Sequence, residues 1–327
     1  MRAPAFWSDT SAHVLPLLLS PLGLITAQAT ARRLRRPRWR APVPVICCGN
    51  LVVGGSGKTT LALDILARLR RRGVAAHALT RGYGGAACGV VRVDPLLHDA
   101  ALVGDEALLL ARVADTWVSA DRAAAARQAI RAGAQCLVMD DGMQNPGLVQ
   151  DCVLLVIDGA AGFGNGRLLP AGPLRERIRD GAARARAAIL IGPDQVASRQ
   201  QLPGRLPVLP ATLALAPDAS RLQRQKLVAF AGIGRPEKFF SSLDQTGLEV
   251  VGRVQFPDHH RYRAHELDRL AAYAAVRNAR LVTTPKDAVR LTPTFRPFVH
   301  VIDVALRWQQ ATAIEALLDE VMADAIM

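Results

Sequence analysis

Residues 42–73 read PVPVICCGNLVVGGSGKTTLALDILARLRRRG. An apolar run (residues 42–48) enters a glycine-rich loop, and residues 58–72 then place Leu61, Ile65, Leu66 and Leu69 on one helical face, with Gly73 as the stop. This order suits a phosphate. Gly54, Gly55, Ser56 and Gly57 let backbone N–H groups converge on an anion, and the helix that follows turns its positive dipole end toward it. Lys58 reaches β- and γ-phosphates, the Thr59 hydroxyl suits Mg²⁺, and Thr60 completes the loop. The strict G-x-x-x-x-G-K-[ST] pattern asks for glycine at position 52, where this chain has Val52. The strand–loop–helix context carries the reading despite that mismatch.

Outward from the loop, short apolar runs alternate with amphipathic stretches. VAAHALT, QCLVMD, CVLLVID, AAILIG, KLVAFAG, RLVTT and FVHVID read as strands, and residues 105–113, 123–131 and 265–276 as helices. Strands apolar throughout and separated by helices imply parallel strands covered on both faces. The fold expected is therefore α/β, a doubly wound, mostly parallel sheet of the P-loop NTPase type with a second, smaller α/β domain. With 327 residues, a prior of about two domains agrees. Residues 201–220, with four prolines, read as a linker, which sets domain limits at 1–40, 41–222 and 223–327. The five cysteines lack C-x-x-C spacing and read as small buried residues in a reducing compartment.

A 50% hydrophobic and 21% charged composition excludes a wholly disordered chain. The net charge of +13 suggests an acidic partner: nucleic acid, an anionic membrane face or a phosphorylated substrate. At 5% aromatic residues there is little from which to build a base-stacking platform, and no nucleic-acid recognition motif is present. Residues 12–29 form the one long apolar segment, interrupted by Pro16, Ser20, Pro21 and Gln28, and six arginines follow between Arg32 and Arg40. A signal peptide is disfavoured by a leading region with Arg2 as its one basic residue. A single span or an interfacial anchor fits better, with the arginines against anionic lipid and everything beyond Arg40 cytoplasmic.

Further polar clusters stand at strand and helix ends. QCLVMDDGMQN closes a strand with Asp140 and Asp141, where phosphate-loop enzymes hold Mg²⁺. Asp105 and Glu106 open a helix after Gly104; they are either dipole partners or, facing a nucleotide, a base for an attacking hydroxyl. Asp258, His259 and His260 occupy a loop, and TTPKDAVRL ends another strand. The latter echoes the guanine-reading N-K-x-D, but Thr284 replaces the asparagine.

Taken in order, GNLVVGGSGKT, TRGYGG, VGDEALLL, DRAAAA, DDGMQN, GFGNGRLLPAGPLRER, FAGIGRPEKFF, FPDHH and TTPKDAVRL resemble the tetraacyldisaccharide 4'-kinase family over nearly the whole chain, together with the N-terminal FW and PLLLSPLGLI. The resemblance implies transfer of the γ-phosphate of ATP to the 4'-hydroxyl of an acylated disaccharide lipid on the cytoplasmic face of the inner membrane. It implies Lys58 and Thr59 on ATP and Mg²⁺, Asp105 as base, and His259 as its partner from the C-terminal domain. Glu106, Asp140 and Asp141 would lie around the metal and Arg122 at the substrate. No protein partner is implied. Thr60, Met143, Asn145 and Pro285 stand where the family commonly has proline, phenylalanine, histidine and glutamate. Read from the residues alone, a membrane-associated GTPase or ATPase of a targeting or metal-insertion class, and an ATP-gated binding module, remain as alternatives.

Overall fold

The computed structural model describes residues 4–8, 14–216 and 222–324. In chain order the strands are β1 (Val45–Gly49), β2 (Ala76–Thr80), β3 (Val91–Arg92), β4 (Thr116–Val118), β5 (Cys136–Asp140), β6 (Cys152–Asp158) and β7 (Ala187–Ile191). They continue with β8 (Val208–Leu215), β9 (Lys226–Ala231), β10 (Glu249–Gln255), β11 (Arg280–Thr283), β12 (Val299–Val301) and β13 (Val304–Trp308). Nine form one sheet in the order β13-β8-β7-β6-β1-β5-β2-β4-β3, and four form a second, β10-β9-β11-β12. The large sheet is parallel except for β3 and β13 at its edges, and the small sheet is parallel throughout.

The central strands are apolar on every residue because both faces are covered. Val45 and Cys47 of β1 face one layer, with the helix Arg122–Arg131 and the segment around Leu148 and Leu174. Ile46 and Cys48 face the other, with Leu61, Ile65 and Leu69 of the helix Lys58–Arg71. The carboxyl ends of β1, β2, β5, β6 and β7 point the same way, and β1 lies between β5 and β6, the crevice where open α/β sheets bind ligands. Cys47, Cys48, Cys136 and Cys152 are buried and Cys88 is exposed, all as free thiols.

Two expectations are corrected. The proline-rich stretch 201–220 is not a bare linker, because it contains β8. Val208–Ala211 of that strand pair with β7 and Ala211–Leu215 with β13, so Pro210 sits where the β13 side of the ladder is ending. The boundary near residue 222 also does not hold to the C-terminus. After β12 the chain re-enters the large sheet as β13, and the helix Ala311–Asp324 sets Ile314, Leu318 and Val321 against the layer that carries Leu61 and Ile65. The smaller unit, residues 222–302, is thus an insertion between two adjacent antiparallel strands.

The apolar N-terminal segment forms a continuous helix, Val14–Leu34, with Pro21 inside it. At 1.5 Å per residue it is about 31 Å long, near the thickness of a bilayer's hydrocarbon core. Its apolar residues are not core: Val14, Leu18 and Ile25 are 71%, 70% and 64% exposed. One side rests on the protein. Thr26 Oγ1 donates to the Leu169 carbonyl at 2.7 Å, Arg167 to Ser20 Oγ at 2.7 Å, and Gly23 packs against Leu168.

Because the last helix belongs to the large sheet's core, Leu318→Ala should cost about 2–5 kcal/mol of stability, the range for truncating a buried leucine. Urea titration would read this as a lower midpoint for the large sheet's layer itself; a change confined to the smaller unit would contradict the topology.

Candidate active site

Gly57 is the pivot of the phosphate loop. It precedes the helix Lys58–Arg71 with φ +91, a conformation that disfavours any side chain, while a Cβ there would meet the movable Ile191 Cδ1 at 2.7 Å. Asn50 at the end of β1 ties the loop down by donating to Ser56 Oγ at 2.9 Å. Lys58 folds back over the loop, its Nζ 3.4 Å from the Gly54 carbonyl and 3.7 Å from Asp141.

The two aspartates at the end of β5 take different surroundings. Asp140 is buried and accepts from Thr59 Oγ1 at 2.9 Å on Oδ2, while its Oδ1 has no hydrogen-bond partner among the described residues. Burial, then the nearby charge of Glu106, pushes its carboxyl up to about 7. Asp141, in the left-handed region at φ 51, is gripped by Arg175 at 2.8 and 3.2 Å. Burial raises its pKa, but Lys58 and Arg175 outweigh that and hold it below the usual carboxylate range.

Asp105 and Glu106 begin the helix Asp105–Ala111, separated from a preceding turn, Ala100–Val103, by Gly104 with φ +85. A Cβ on Gly104 would lie 2.7 Å from the Tyr83 carbonyl, so this break in the helix needs glycine. Both carboxylates meet cations from the smaller unit. Glu106 pairs with Lys286 at 2.7 Å. Asp105 pairs with Arg290 and lies 3.3 Å from His259 Nδ1. Burial pushes Asp105 up, but the His259 bond and the charges of Arg290 and Lys286 overcome it and hold the carboxyl well below the ordinary range. The same bond raises His259 above its usual value, against a smaller opposing effect of burial. A cleft of about 350 Å³ opens beside this pair, lined by Tyr83, Arg261, Thr292 and Pro293 among others.

Arg122 is buried behind the aspartates, donating to the Ser119 carbonyl while its Nε has no partner among the described residues. Burial and the like charge of Arg81 bring it down to about 10. Sequence reading thus brought together Lys58, Thr59, Asp105, Glu106, Asp140, Asp141, Arg122 and His259, and the structure gathers them along the carboxyl edge of the large sheet. Of the loop histidines, only His259 faces Asp105; His260 pairs with Glu266 at 2.9 Å. Lys286, Arg290 and Arg175 had no assigned role. TTPKDAVRL had drawn attention as a polar strand end, but its partners lie 180 and 185 residues away in the chain. Three of the departing residues have local explanations, and nothing in the structure accounts for Thr60. Met143 packs in the core against Gly49, and Asn145 accepts from the Gly147 and Leu148 amides. Pro285 sits at the first turn of a short helix capped by Thr284, where proline's missing N–H costs nothing.

Among the described residues, no three His, Cys, Asp or Glu side chains converge as a metal cluster. Mg²⁺ takes as few as one or two protein oxygens, with phosphate and water completing its shell. The unpartnered Oδ1 of Asp140 next to the Thr59 hydroxyl is the donor set such an ion needs.

Residues 15–323 match the family described as Tetraacyldisaccharide-1-P 4'-kinase. The chain is similar to a tetraacyldisaccharide 4'-kinase of Gluconacetobacter diazotrophicus, 58% identical over 98% of each chain. It is also 52% identical to one of Rhodospirillum centenum, over 97% of this chain and 96% of the relative. Among solved structures, LpxK from Aquifex aeolicus, crystallised in complex with ATP, aligns with a TM-score of 0.77 at 24% identity, covering 94% of this chain and 100% of the other; that likeness shows the shared fold.

The elevated His259 pKa gives a signed expectation. The His259–Asp105 contact adds most to stability below the ordinary imidazole pKa and fades as pH rises through the elevated one. Through Asp105, whose pKa is depressed, stability is instead lost in strong acid. An NMR titration should place the His259 midpoint above about 6.5, and Asp105→Asn should move it down. A midpoint indifferent to that substitution would break the pairing.

Proposed function

The chain belongs to the tetraacyldisaccharide 4'-kinase family, and from that premise we propose that it transfers the γ-phosphate of ATP to the 4'-hydroxyl of a tetraacylated glucosamine disaccharide 1-phosphate, the 4'-phosphorylation step of lipid A biosynthesis. The observation that carries this reading is the placement of the Asp105–His259 pair beside a cleft on the same sheet edge as the phosphate loop.

Phosphoryl transfer asks the protein for positioning and charge neutralisation rather than covalent chemistry. The loop amides and Lys58 hold the triphosphate. Thr59 and Asp140 would hold Mg²⁺, which when bound neutralises charge on the bridging phosphate oxygens. Glu106 and Asp141, already paired with Lys286 and Arg175, set the charge around that ion. Asp105 accepts the hydrogen bond of the sugar hydroxyl and draws off its proton as the new ester forms and the bond from the γ-phosphorus to ADP breaks, with His259 orienting the carboxylate. Arg122, with its free Nε, serves the anionic part of the substrate or nucleotide. A hydrolase of the targeting class has less support: it needs no acceptor cleft, and Thr284 replaces the asparagine of the guanine-reading motif.

The acceptor is a membrane lipid, and the Val14–Leu34 helix with its exposed leucines and following arginines suits docking on the cytoplasmic leaflet of the inner membrane. A recess of about 270 Å³ between this helix and residues 166–178 combines Leu24 and Leu168 with Arg167 and Arg177. That pairing matches an acyl chain under an anionic headgroup.

Transfer of label from γ-labelled ATP to the purified lipid disaccharide, beside a control without acceptor, tests the reaction; equal ATP consumption in both arms would refute it. Lys58→Ala and Asp105→Ala should each lower kcat by roughly 10²–10⁴-fold, the scale for losing a positioned charge or a general base. A pure KM effect in Asp105→Ala would make it a binding residue. Deleting residues 1–34 should release the protein from vesicles containing anionic lipid and reduce turnover on long-chain substrate, while a fully active soluble truncation would retire the anchor.

A further inference from the structure

We infer that Arg290, held by the buried Asp287, is a positioning residue for the transfer: it fixes the Asp105 carboxylate and the His259 ring as one preset pair. The inference rests on the proposed roles of Asp105 and His259. It begins at Asp287, which is fully buried on the smaller unit. One of its oxygens accepts from the Gly232 amide at 2.9 Å and Tyr262 Oη at 2.7 Å, and the other from Thr284 Oγ1 at 2.7 Å. That carboxylate lies 3.3 Å from Arg290 Nη1, which also donates to the Gly232 carbonyl at 2.7 Å.

Arg290 Nη2 then does two things at once. It donates to Asp105 Oδ2 and lies 3.5 Å from His259 Nδ1. The His259 amide donates at 3.0 Å to the same Gly232 carbonyl that Arg290 holds, so ring and guanidinium share one support. Only a planar two-pronged cation reaches Gly232 and Asp287 with one nitrogen and Asp105 and His259 with the other; a lysine ammonium would serve one end. Simple adhesion is a poor explanation of this cost. Buried charge pairs seldom stabilise better than apolar packing of the same volume, and Lys286–Glu106 already joins the units next to it. What the arrangement supplies is orientation, to which transfer is far more sensitive than binding.

The test uses the full chain, with Arg290→Gln, Arg290→Lys, Asp287→Asn and the milder Tyr262→Phe, each checked for its unfolding midpoint. Arg290→Gln and Asp287→Asn should lower kcat by roughly 10²-fold, the scale of a small misplacement at a reacting centre, with KM for ATP unchanged. Arg290→Lys should recover little of that loss. Combining Arg290→Gln with Asp287→Asn, or with Asp105→Ala, should cost no more than the more damaging single change. If Asp287→Asn does not fold, Tyr262→Phe should still lower kcat without moving KM for ATP. Normal kcat in Arg290→Gln, or a full additional loss on top of Asp105→Ala, would overturn the positioning role alone. Full turnover in Asp105→Ala would overturn the catalytic reading beneath it.

Discussion

The active edge depends on a charge balance across two units: Asp105 and Glu106 at the head of one helix and, from the smaller unit, Lys286 in the short helix Pro285–Ala288 with Arg290 just beyond it. A desolvated carboxylate would take up a proton and a desolvated lysine would lose one. Across the seam, burial pulls Lys286 down, but Glu106 and Asp105 raise it above its ordinary value. The smaller unit is therefore the source of the counter-charge that holds Asp105 below the ordinary carboxylate range, as well as the source of His259.

The opposite imbalance stands at the proposed metal position. Asp140 is buried with an orphaned oxygen and a pKa pushed up to about 7, while Asp141 beside it has Arg175 and Lys58. Asp141 holds both cations as close ion pairs, whereas Asp140 feels Lys58 only at a distance. In the proposed reading a divalent ion would supply the charge that Asp140 lacks, which separates two adjacent residues that the sequence presents as equivalent.

The core of this was legible because it is local. Strand, glycine loop and helix 58–71 are contiguous, and their apolar spacing alone sets the orientation of the helix. The eight apolar strands were legible for the same reason, since strands buried on both faces leave uninterrupted hydrophobic runs. What the sequence concealed is long-range. The three residues of β4 are too few to show a pattern, β8 hides among prolines, and nothing in residues 304–308 announces that they pair with 211–215. The same holds for Arg290 and Lys286, whose meaning lies in carboxylates more than 150 residues away. A single boundary near residue 222 follows naturally from composition and fails because composition does not record a returning strand.

The N-terminal helix is connected to the chemistry through one stretch of chain. Ser20, Gly23 and Thr26 bear on Arg167, Leu168 and Leu169. Leu168 bridges to Leu174, the Pro173 carbonyl accepts from the Val53 amide, and the Arg175 amide donates to the Leu51 carbonyl. Arg175 then grips Asp141, which faces Lys58. Residues 165–175 thus run from the helix to the phosphate loop with backbone hydrogen bonds at the loop end, where side-chain flexibility cannot blur the distance. A lipid hydroxyl lies at a fixed depth near the headgroups, so an enzyme acting on it must hold its nucleotide at a matching height. A short, hydrogen-bonded segment between anchor and loop meets that requirement; a flexible linker after residue 34 would not.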